Sequence, residues 1–169
     1  HSSIVPFLSE KCSKINGFKL VFSLISRHYI RIHAAAIKPD TEMGAMLKRG
    51  EIELQSEGEI VREQRLFLEK IEPIDSYYVN EHIVNLLLEV RAYLSTDKEK
   101  ILSIIDTFLA MSDEDKENFA VGRRINQYYT LSDMKIKGKH IRVNEYVDKL
   151  KKQRVDIALA CNILRSQMI

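Results

Sequence analysis

Chain breakers are scarce here. The 169 residues include three prolines and six glycines, too few to punctuate a fold of many short strands, so long helices are expected. Cysteine is nearly absent. Cys12 and Cys161 stand far apart, with no CxxC or Cys/His metal spacing, which argues against a disulfide scaffold and against a zinc module. Two thiols in a chain large enough to bury a core are read as reduced residues of the cytoplasm or another reducing intracellular compartment. A charge excess is missing too. The 26 Lys/Arg face 24 Asp/Glu, and a net charge of +2 does not by itself imply a nucleic-acid binder. No apolar run suits a membrane. The most apolar early stretch, residues 18–37, carries Lys19, Arg27, His28, Arg31 and His33. There is no Gly-rich phosphate loop, no GxSxG and no HExxH.

What the chain does hold is helical rhythm. From Val143, apolar residues recur at Val147, Leu150, Ile157, Cys161, Leu164 and Met168, interrupted only by Arg154. Steps of three and four make one stripe on a helix, so a long terminal helix over residues 145–167, capped by Asn144, is expected. Beyond Val155 it is apolar nearly all round, which demands burial in its own domain or against a partner subunit. Arg154 on the seam then calls for an acidic partner from residues 51–72.

Further helices are expected over 4–14, 18–36, 41–47, 59–71 and 77–94. The last has Val79, Ile83, Leu86, Leu87, Val90 and Leu94 as its stripe. Two more follow, over 97–111, opened by a Thr96/Glu99 capping box, and from Ser112 to about 129. Residues 51–57 alternate weakly and are read as loop or helix. Residues 134–143 break the rhythm and suggest a basic loop or a small β-hairpin turned at Lys137-Gly138. The expected fold is all-α, a compact single-domain bundle of six or seven helices over residues 1–169. His1-Ser2-Ser3 is read as a tag remnant, or the chain as a domain excised from a longer one.

Charge is laid out in blocks. Eight Lys/Arg against three acids occupy residues 1–49, eight acids against three Lys/Arg occupy 51–76, and eight Lys/Arg against two acids occupy 134–155. The last block, with Lys135, Lys137, Lys139, Arg142, Lys149 and Lys152, can hold nucleic acid or acidic phospholipid, or can simply offset the acidic block. Arg123 and Arg124 join these anion-binding candidates through a second pattern. Two helices followed by a hairpin would echo a winged helix-turn-helix, although the acidic turn at 112–117 would repel phosphate. His82, Asn85 and Glu89 share a helix face on this reading, and Glu57 and Glu59 form an acidic pair. A solvated polar surface accounts for both.

No catalytic residue, cofactor or metal is expected. The leading expectation is a non-enzymatic helical interaction module: an adaptor, assembly subunit or binding domain. Val147, Leu150, Arg154, Ile157, Cys161 and Leu164 are the partner-helix candidates, for a protein partner or a second copy. The alternative is an anion-binding module working through the basic block.

Overall fold

A computed structural model describes residues 3–6 and 29–168, with side chains from 29 onward. It is mostly helical with a small sheet, so the expectation of a purely helical bundle is corrected. Four strands, β1 (Ser3–Pro6), β2 (Tyr29–His33), β3 (Tyr77–Val79) and β4 (Arg91–Tyr93), lie in that order. β1–β2 and β2–β3 are parallel, and β3–β4 is antiparallel. Six α-helices are described: α1 (Glu42–Lys48), α2 (Glu57–Lys70), α3 (Lys98–Leu109), α4 (Asp113–Arg124), α5 (Lys137–Lys152) and α6 (Ile157–Ser166), with a 3-10 turn at Leu131–Lys135. None is long and apolar enough to cross a membrane.

The chain gathers into two compact units. Among the described residues, one comprises 3–6, 29–34 and 60–110, the other 35–59 and 111–168.

In the first unit, β2 alternates strictly. Ile30 and Ile32 point into the core while Tyr29 and Arg31 face out. The expected helix over 18–36 is therefore a strand at 29–33. Its remainder at 18–28 lies outside the described residues, as do residues 7–14 of the first expected helix, whose residues 4–6 belong to β1. The expected helix over 77–94 is also absent. β3 and β4 flank a looped stretch whose backbone is tied by asparagines. Asn85 donates to the Ile32 and Asn80 carbonyls and accepts from the Ala34 amide at 2.7 Å, while Asn80 donates to Leu87 O. Such side chains offer the backbone an alternative to helix. Leu86, Leu87, Val90 and Leu94 are still buried, and so is Val79, in register with Arg31 and Arg91 on the other face of the sheet, whereas Ile83 is exposed. α3 presents Ile101, Leu102, Ile105 and Phe108 to this core. The Thr96/Glu99 box does not form, because Asp97 takes the N-cap position without a side-chain cap and Thr96 bonds to Asp97 instead. Lys98 reaches back to the Glu69 and Ile71 carbonyls and covers the end of α2.

In the second unit, α4 packs against both α5 and α6. Residues 134–143 form neither hairpin nor basic loop. A capping box of Thr130 and Asp133 opens the 3-10 turn, and α5 begins at Lys137. Asn144 lies inside α5 and caps nothing. The single terminal helix expected over 145–167 is two helices, broken at residues 153–156. The break is a Schellman closure, in which Val155 N–H bonds to Leu150 O, Arg154 N–H bonds to Lys151 O, and Arg154 sits at φ +55°. Asp156 then caps α6 through the Leu159 amide.

Candidate interaction surfaces

The most constrained chemistry in the second unit is ionic and buried. Glu57, in the first turn of α2, meets Arg124 of α4 in a two-pronged pair, with Nε and Nη2 each 2.8 Å from a carboxylate oxygen. Arg165 of α6 donates a third bond to Glu57 at 2.6 Å and another to the Ala35 carbonyl at 2.7 Å. Asn162 adds a two-way pair with the Ile37 backbone. Glu57, Arg124, Asn162 and Arg165 are all buried, so this polar seam ties residues 35–37 to α6. Burial alone would raise the Glu57 pKa, but the two guanidiniums outweigh it and hold the carboxyl below the usual carboxylate range. Burial, with Glu57 next, pushes the nearby Cys161 thiol up to about 12, which makes it a poor nucleophile.

This seam relocates several residues singled out from sequence. The acid that residues 51–72 supply goes to Arg124 and Arg165, while Arg154 is exposed in the helix break. Arg123 and Arg124, offered as anion contacts, are buried. Arg123 lies 5.6 Å from the Tyr129 ring centroid, and its pKa is lowered by burial and by Arg124. Glu57 and Glu59 do not act as a pair, since Glu59 accepts from the Ser56 amide and hydroxyl and closes a capping box at the start of α2. His82, Asn85 and Glu89 share no helix, and Asn85 is occupied by Ile32 and Ala34.

The basic block is mostly solvent-facing. Lys135, Lys137, Lys149 and Lys152 are exposed and make no ion pair among the described residues. Lys139 is paired with Asp133, and Arg142 donates to Gln127. The first turn of α5 holds no acid, whereas that of α4 holds Asp113, Glu114 and Asp115.

The partner-helix candidates are largely used internally. Val147 and Cys161 are buried, and Leu150, Ile157 and Leu164 are half-buried. Two apolar side chains of α6 that were not among these candidates are left outside. Leu159 and Ile163, one turn apart, are 44% and 48% exposed, while Asn162 and Arg165 of the same helix point inward.

The first unit carries a different surface on the outward side of its sheet. Tyr29, Tyr77 and Tyr93 are in register across β2, β3 and β4. Their rings meet edge to face, with centroids 5.7 Å and 4.9 Å apart. Two residues along, Arg31 and Arg91 flank Val79 in the next row, and both approach Glu81, at 3.9 Å and 3.2 Å. His33, further along β2, stacks on His82 with centroids 4.0 Å apart, and its pKa is lowered by burial, then by His82 and Arg31. Sequence reading missed this surface because residues 29–33 and 77–94 were assigned to helices. The alternation Tyr29-Ile30-Arg31-Ile32-His33 was the available signal. Comparison with protein-family models, with curated proteins and with solved structures gives no match.

Proposed function

We propose that the protein is a non-enzymatic interaction module whose helical unit docks a protein surface on α6. The observation carrying this reading is the exposure of Leu159 and Ile163 on α6 while Asn162 and Arg165 of the same helix are buried. Polar groups so placed are satisfied only through the seam with residues 35–37 and Glu57. The inward face of the helix thus mixes these polar groups with buried Ala160 and Cys161, and two of its four branched aliphatic side chains, Leu159 and Ile163, stay exposed, an arrangement that favours an outer contact. Sedimentation equilibrium at low and high protein concentration tests the homotypic form. The wild type is expected to gain mass with concentration, and a Leu159→Asp/Ile163→Asp variant to stay monomeric with an unchanged melting temperature. A wild type that remains monomeric throughout, or a variant that associates equally well, overturns that form.

A second reading rests on exposed Lys135, Lys137, Lys149 and Lys152, which make no ion pair among the described residues. It makes these lysines, Lys135 at the end of the 3-10 turn and the other three on α5, a phosphate-binding surface. Binding to anionic vesicles or to duplex DNA should then fall steeply with salt, and Lys135→Gln/Lys137→Gln should flatten the salt slope by about two units. The vesicle and duplex arms separate lipid from nucleic acid, and no binding to either at low salt removes this reading.

A further inference from the structure

We propose that the outward face of the sheet in the first unit is a binding surface for single-stranded nucleic acid. It is independent of the α6 and α5 surfaces above and uses none of their residues. Three observations converge on it. The first is aromatic. Tyr29 and Tyr93 are 59% and 52% exposed although they stand in register with Tyr77 on a sheet whose other face holds buried Ile30, Tyr78 and Ala92. The rings form a continuous row across three strands, and its outer members are more than half exposed. Stacking of bases on such rings tolerates any sequence, because every base has a π-face.

The second observation is the placement of charge. Arg31 and Arg91 form a second row, two residues on and so about 7 Å along the strands from the tyrosines. An extended polynucleotide carries bases to one side of its sugars and phosphates to the other. A row of rings beside a row of guanidiniums complements that layout. Neither a neutral sugar polymer nor an apolar peptide would need the arginines. The third observation is availability. The two arginines share one carboxylate, Glu81, and all three side chains are well exposed. Solvent-exposed pairs of this kind hold weakly, so a phosphate can replace Glu81 at either guanidinium.

Fluorescence anisotropy of labelled oligouridylate and oligothymidylate with the full chain at low salt tests this. Binding is expected to both, in preference to a duplex of equal length. Tyr29→Phe/Tyr93→Phe should retain affinity, and Tyr29→Ala/Tyr93→Ala should lose about tenfold for each ring removed. Arg31→Gln/Arg91→Gln should reduce the salt slope. No binding, equal affinity for the duplex, or unchanged affinity in the alanine variant overturns the proposal. If the alanine variant melts below the assay temperature, ultraviolet crosslinking of the wild type to oligouridylate decides. Adducts on peptides holding Tyr29, Tyr77 or Tyr93 support the surface, and adducts elsewhere only overturn it.

Discussion

Glu57 shows how much one side chain organises. Its carboxylate receives three hydrogen bonds from two buried arginines. Removing the negative charge leaves two guanidiniums inside with no anion, a far greater loss than the pair's net worth. Glu57→Gln is expected to cost about 3–5 kcal/mol in urea unfolding. A cost below about 1 kcal/mol, the value of an exposed pair, would show that water reaches the seam. Gly122 is constrained for a simpler reason. A Cβ there would run into the ring of Tyr128, which is fully buried and stacks on Phe119.

Among the elements, the helix ends carry most of the local logic. Three of them close in the same way, with a left-handed residue just past the helix: Gly50 after α1, Asn126 after α4 and Arg154 after α5. Glycine makes the first stop visible in the sequence, and asparagine hints at the second. Arginine conceals the third, and an apolar stripe continuing across it reads as one rod. The stop exists because the bonds from Val155 and Arg154 to the last turn of α5, together with the Asp156 cap, compensate the strain. Arg154 makes no ion pair among the described residues and is exposed, so Arg154→Gly should relieve that strain and stabilise the protein by about 0.5–1 kcal/mol. Destabilisation measured by chemical unfolding would mean the break is held by the arginine side chain.

For the molecule as a whole, each unit draws on two separated stretches of chain, so contacts distant in sequence decide both. Acid should act on the two in sequence. The His33 pKa is held below its ordinary 6.5, so its contribution to stability is present above that pH and is lost as pH falls through 6.5 toward the folded value. The Glu57 pKa is held below 4.5, so its contribution persists above 4.5 and is lost as pH falls through its lower folded value. Thermal melts across pH should therefore decline in two stages, and His33→Asn should remove the upper one alone. A wild-type profile flat from neutrality down to pH 4.5 would contradict the His33 assignment.

The sequence by itself determined many of the apolar side chains that go inside and several of the places where helices begin. Val79, Leu86, Leu87, Val90 and Leu94 are buried, although the helix expected of their spacing is absent and Ile83 of the same stripe is exposed, and Thr41 and Ser112 cap α1 and α4. Burial follows hydrophobicity, and a cap needs only residues within one turn. Tertiary structure decided what local pattern leaves open. Residues 29–33 and 77–94 satisfy a helical spacing, yet parallel pairing and the bonds of Asn80 and Asn85 draw them into strands and loop. Glu57, Arg124 and Arg165 stand 67 and 108 positions apart in the chain. Only folding brings charges so separated close enough for their attraction to exceed the cost of leaving water.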